Sequence, residues 1–211
     1  MSWQSAIHPR DWAAMTRLHE SSHVAASEAL GIEVNDVWAN VDPRVAHGGQ
    51  YNNGLGDSQL QAVVQLIGAE GGAKELRERG YGDDIAHTST ILTGASDRER
   101  ARAIQATAAQ HGYRIDTDLA YYNALQILDA PGFSDASHNV AEALADRGDR
   151  LTGADVRAAI GSFQLDRDGL WIPTASELSP PGLAPVNLDP QLPAPADPAE
   201  HDLDDEADID L

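Results

Sequence analysis

His19 and His23 stand four residues apart, with Glu20 between them, in a stretch from Asp11 to Leu30 that contains neither glycine nor proline. Such a stretch is expected to be helical. Pro9 suits a first helical position, Trp12, Met15, Leu18, Ser22 and Ala26 fall on related turns, and Gly31 closes the helix. On a helix, residues four apart share one face, so both imidazoles can reach one metal ion. Glu20 is turned roughly 100° from His19, at ~3.6 residues per turn, and points beside that ion. There it can take a proton from a water and pass it to a leaving amine. With 8 histidines in 211 residues, about 0.015 such HExxH motifs arise by chance in a shuffled chain. The small apolar residues Val24, Ala25 and Ala26 that follow suit a buried helix, where histidines without a ligand are costly.

The rest of the chain reads as more helices and one small sheet. Ile32 to Val41 is expected to be a strand, and the glycines and asparagines from Gly48 to Gly54 punctuate a second, returning strand. Asp57 or Ser58 caps a helix carrying Leu60, Val63, Val64 and Ile67. Gly68, Gly71 and Gly72 lie within it at ~1 kcal/mol each relative to alanine, which implies close approach by another backbone. Asp83 opens a short helix to about Leu92, and Ser96-Asp97-Arg98-Glu99 reads as a capping box for the next. Asp116 or Thr117 begins a helix stopped by Pro131-Gly132, and Ser134 and Thr152 cap two more. The fold class expected is α+β, mainly α-helical, with one small β-sheet. Composition changes near residue 165. Residues 166–211 hold eight of the 11 prolines and carry a net charge of −11, against −9 for residues 1–165. Residues 1–165 are therefore expected to form one domain. Residues 166–211 are expected to be a mostly disordered acidic tail, with Leu170-Trp171-Ile172 docking back on the core.

Charge and composition exclude whole classes of function. A net charge of −20 repels phosphates and anionic lipid, so nucleic-acid and membrane-surface partners are not expected. No apolar run reaches the ~20 residues of a membrane span, and no secretory leader is evident. The absence of cysteine removes thiol nucleophiles and thiolate ligands, and makes a cytoplasmic setting the default. A zinc site for hydrolysis needs three protein ligands and a water, so the third ligand must be a downstream carboxylate or histidine. Glu70, Asp83, Asp84 and His87 are candidates, Asp83 being better placed as an N-cap. His47 and Tyr51, after the strand, read as surface-loop residues; a hydrogen bond to an oxyanion is the rival reading. His8, His111, His138 and His201 have no evident partners.

His19-Glu20-Ser21-Ser22-His23-Val24-Ala25-Ala26, followed by Leu30-Gly31, resembles the zinc-site helix of the FtsH family of AAA+ metalloproteases. Val37 to Gly54, including Pro43-Arg44, is similar to that family's edge strand and turn. Ile67 to Leu76 is similar to its glycine- and alanine-rich helix, and Leu125 to Ile160 to its closing helices. Gly82-Asp83-Asp84-Ile85 falls where the family has a segment whose aspartate is the third zinc ligand, which maps that ligand onto Asp84. The resemblance implies a zinc metallopeptidase domain with zinc on His19, His23 and Asp84 and with Glu20 as base. Substrate would be an extended polypeptide, small or unfolded, lying along Val37 to Val41. The chain departs from the family in having no Walker-A loop, only one lysine (Lys74), and Ser21-Ser22 in place of a smaller Ala-Gly pair. These departures imply an activity independent of ATP or served by a separate ATPase, and leave homo-oligomerisation open. The alternative function is a zinc-stabilised interaction protein without useful turnover.

Overall fold

At the centre of the structure, a computed structural model, lies helix α1 (Pro9–Ala29), in which every residue from Leu18 to Ser27 is buried. The described residues are 6–42, 49–54, 56–167, 170–179, 181 and, as backbone, 187–188. The His8 side chain accepts from the Arg10 amide at the start of α1, Pro9 takes the first helical position, and Gly31 follows with φ +78°. A helix buried all round has no solvent face on which to place its polar residues. Those of α1 bond inward: Ser22 Oγ donates to the Leu18 carbonyl at 2.7 Å and Ser27 Oγ to the His23 carbonyl at 2.9 Å.

Strands β1 (Val34–Ala39) and β2 (Gly49–Asn53) form the expected antiparallel pair, with Val37 opposite Tyr51. A third strand, β4 (Arg150–Thr152), joins the other side of β1, giving the order β2-β1-β4. This corrects the expectation of an open edge at Val37 to Val41. Both edges of β1 are already paired, so an extended substrate cannot add there. The outer edge of β2 pairs with no other strand among the described residues. The short strand β3 (Gly56–Asp57) precedes α2 (Ser58–Glu78), whose N-cap is Asp57.

Helix α2 runs antiparallel to α1, and its glycines make that packing possible. A Cβ on Gly71 would lie 2.1 Å from Ser22 Oγ, and one on Gly72 would lie 3.3 Å from the Met15 carbonyl oxygen. The close approach expected from these glycines is therefore made by α1. A small apolar cluster of Ile7, Trp12, Met15, Ala73, Leu76 and Ala86 ties the start of α1 to the far end of α2 and to α3 (Asp83–Thr93). Burying a side chain such as Met15 or Leu76 contributes about 1.5–3 kcal/mol. Helix α3 turns back along α2, with Ser89 Oγ 3.6 Å from Met15 Sδ, and Gly94 ends against Ala69. It thereby delivers α4 (Ala95–Gln110) to the middle of α1. The capping box expected at Ser96 to Glu99 is absent: Gly94 is the N-cap and no side chain caps.

Helices α5 (Thr117–Leu128), capped by Asp116, and α6 (Phe133–Asp146) cover the remaining face with Ile127, Phe133 and Leu144 buried between them. Thr152 caps α7 (Gly153–Ile160) in a capping box with Asp155. Beyond residue 165, Ile172 packs against the main core while Trp171 stays 65% exposed. The Ala175 amide that starts α8 (Ala175–Leu178) donates to the Asp57 carboxylate, and β5 (Asn187–Leu188) pairs with β3. The docking expected of 170–172 is thus made by Ile172, and it continues into α8. The disorder expected further on concerns 182–186 and 189–211, which lie outside the described residues, as do Pro43-Arg44, His47 and His201. The chain is mainly helical with a small sheet, and among the described residues no helix is long and apolar enough to cross a membrane.

Candidate metal centre

His19 and His23 leave α1 on consecutive turns with their Nε2 atoms 3.2 Å apart. Asp97, in the first turn of α4, completes the group: its Oδ2 lies 3.1 Å from His19 Nε2 and 3.5 Å from His23 Nε2. All three residues are buried, at 7%, 1% and 4% exposure. Ligand atoms held tetrahedrally about 2.0–2.1 Å from an ion are about 3.3–3.4 Å from one another. The three separations match that spacing. The Asp97 Oδ2 atom is buried and forms no well-directed hydrogen bond among the described residues, as expected of an atom that serves as a ligand. The cluster can therefore hold a metal ion.

Orientation of the second histidine comes from α2. His23 Nδ1 donates to the Val64 carbonyl at 2.6 Å, which leaves the Nε2 lone pair free for an ion. Gly68, one turn beyond Val64, makes this contact possible. A Cβ there would fall 2.2 Å from His23 Nε2, so any side chain would displace either the ring or α2. The sequence thus sets a bare patch of α2 against the ring.

Asp84, the ligand implied by the family resemblance, does not join the histidines. It is exposed at the start of α3, beside Asp83, which pairs with Arg77 near the end of α2. The 11 residues of α3 span about 16 Å at 1.5 Å per residue. The carboxylate that reaches the site must come after that helix, and Asp97 does. Glu70 accepts a hydrogen bond from Tyr121 Oη at 2.6 Å and His87 is exposed; neither belongs to the cluster. Asp97 carried a signal in the sequence. It falls on the buried stripe of α4 with Ala101, Ile104 and Ala108, where an unpaired carboxylate is expensive.

Glu20 is 4% exposed, with Oε1 3.9 Å from His19 Nε2, and its carboxylate makes no hydrogen bond among the described residues. Burial raises its pKa, against the opposing pull of His19 and His23. Asp97 is held far below the ordinary carboxylate range: burial works against this, but the two histidines outweigh it. His19 is raised, since Asp97 and Glu20 overcome the burial that disfavours its charge. The inner face of β2 packs along α1 in step. Gly49 lies against the Glu20 carboxyl, Tyr51 stacks on His23 with ring centroids 4.5 Å apart, and Asn53 Nδ2 donates to Ser27 Oγ at 3.4 Å. Tyr51, expected in a surface loop, is instead 7% exposed and part of the site.

A second group, Glu75, Glu78 and His138, also lies close together. Its Glu75 already binds Arg79 Nε at 2.5 Å, His138 is half-buried and Glu78 is exposed. The cluster at His19, buried at all three residues, is the stronger centre. No family model, curated protein or solved structure matches the chain.

Proposed function

We propose that this chain is a zinc-dependent peptidase of the FtsH-peptidase type, with zinc on His19, His23 and Asp97 and with Glu20 as the base. The observation that carries the reading is the tetrahedral spacing of three buried ligand atoms beside the Glu20 carboxylate, which makes no hydrogen bond among the described residues. Two imidazoles and one carboxylate suit zinc, and three protein ligands leave one position for water or substrate. Bound there, the ion supplies Lewis acidity to a carbonyl and to a water.

The chain's own residues divide the remaining work. Glu20 takes the proton of the attacking water and hands it to the leaving amine, and its raised pKa brings it closer to the neutral range in which a general base works best. Val64 and Gly68 hold His23 in position. The outer edge of β2, unpaired among the described residues, offers backbone groups to an extended polypeptide, in place of the edge expected on β1. Polypeptides that are short or already unfolded can lie along it without ATP-driven threading; folded ones would need a separate unfoldase. The cysteine-free sequence suits a cytoplasmic setting.

The test is cleavage of a denatured, fluorescently labelled protein by the zinc-loaded chain. Cleavage is expected with zinc, should stop with a chelator, and should return on adding zinc back. Cleavage that persists after complete zinc removal would contradict the reading. Stoichiometric zinc without any cleavage would favour a zinc-stabilised interaction protein.

A further inference from the structure

We infer that the Tyr51 hydroxyl donates a hydrogen bond to the carbonyl oxygen of the bond being cleaved, making Tyr51 a catalytic residue beyond the metal ligands and Glu20; this rests on the peptidase reading above. Its hydroxyl is buried and has no hydrogen-bond partner among the described residues, which is uncommon for a buried polar atom. The ring is not loose: it stacks on His23 at an interplanar angle of 26° and sits on β2 opposite Val37. Two residues earlier on the same face of β2, Gly49 lies against the Glu20 carboxyl, so the Tyr51 side chain sits on the side of the sheet that faces the ligands. Neither Glu20 nor Asp97 takes its hydrogen bond. Arg100, one turn beyond Asp97 on α4, makes no hydrogen bond or ion pair among the described residues. The ligand cluster thus has a spare, rigidly placed O–H donor beside it, and Arg100 lies one turn from the Asp97 ligand; such groups stabilise a developing negative charge.

In the step this implies, the oxygen of water bonds to the carbonyl carbon and the C=O π pair moves onto the carbonyl oxygen. Tyr51 donates to that oxygen and keeps its proton. Glu20 holds the proton lost by the water. The electron pair then returns, the C–N bond breaks, and the amine leaves with the proton from Glu20.

Tyr51→Phe preserves the ring and its stacking on His23, so zinc content should stay at the wild-type level. Its kcat should fall about 10²–10³-fold, the effect of removing one oxyanion donor, with KM within about threefold. A second readout needs no turnover. A peptide phosphonate, tetrahedral and anionic like the attacked carbonyl, should bind zinc-loaded Tyr51→Phe about 10²-fold more weakly than wild type. A peptide product should bind both equally. Wild-type kcat and phosphonate affinity in the variant would overturn the inference. Zinc loss in Tyr51→Phe would also overturn it, assigning the hydroxyl to holding His23 in place. Phosphonate binding that depends on Tyr51 in a wild-type chain without turnover would sustain the donor role and count against the peptidase reading instead. A wild-type chain that neither cleaves nor binds the phosphonate would remove both.

Discussion

Asp97→Ala is expected to leave the protein without tightly held zinc, while Asp84→Ala keeps one zinc per chain. The contrast follows from where α3 puts the two carboxylates. Asp97 Oδ2 lies within 3.5 Å of both imidazole Nε2 atoms, whereas Asp84 is exposed at the other end of α3. Four-ligand zinc sites bind with roughly 10–16 kcal/mol, or about 2.5–4 kcal/mol per ligand if shared evenly, so losing Asp97 should raise Kd by about 10²–10³-fold. Competition with a chromogenic chelator measures this for both variants. Equal zinc affinity in Asp97→Ala and wild type, or a large loss in Asp84→Ala, would restore the assignment that the family resemblance implied. Asp97→Ala should also lower Tm in zinc-containing buffer, because an ion that binds only the folded chain stabilises it by RT ln(1 + c/Kd) at free zinc concentration c, which shrinks as Kd rises.

Glu20→Gln is expected to bind zinc like wild type and to lose about 10²–10⁴-fold in kcat, the usual contribution of a positioned general base. Glutamine has nearly the shape of glutamate, so the packing of Gly49 against this side chain can persist. What it lacks is the lone-pair basicity that accepts a proton. Stability separates this role from a structural one. The Glu20 carboxylate is buried without a hydrogen bond among the described residues and its pKa is raised chiefly by burial, so neutralising it should leave Tm unchanged or higher. A variant with normal kcat would remove Glu20 as the base. One that loses both zinc and Tm would make the side chain part of the scaffold.

How legible these features were in the sequence follows from the range of the interactions that create them. The helix holding His19 and His23 is set by local rules: spacing, the proline at its start and the glycine after its end. The caps at Asp57, Asp116 and Thr152 are local too, and the structure forms all three, whereas the cap expected at Ser134 is not formed: Gly132 is the N-cap of α6 and Ser134 lies within the helix. Even the glycines of α2 pointed to close packing, though not to a histidine ring reaching past Gly68 to the Val64 carbonyl. Asp97 was legible only in part. Its neighbours resemble a capping box, and that local reading obscured the fact that it shares a stripe with Ala101, Ile104 and Ala108. Choosing between Asp84 and Asp97 required knowing that α3 doubles back along α2, a fact of tertiary packing. The sheet order was hidden for a similar reason. Strand β4 has three residues and runs into the cap of α7, so its pattern of alternation is too short to read. Tyr51 looked like a loop residue because five residues rich in glycine and asparagine carry little strand signal; its burial comes from pairing with β1 and stacking on His23.

The central claim is that one divalent ion is held by two imidazoles and the Asp97 carboxylate. Zinc-edge X-ray absorption of the purified chain, with metal content measured on the same sample, tests it most directly. The account predicts about one zinc per chain, with two imidazole nitrogens and oxygen ligands at about 2.0–2.2 Å, and a signal that shows only one imidazole in His23→Ala. A chain that takes up no zinc from micromolar solution, or a zinc surrounded by oxygen alone, would contradict it.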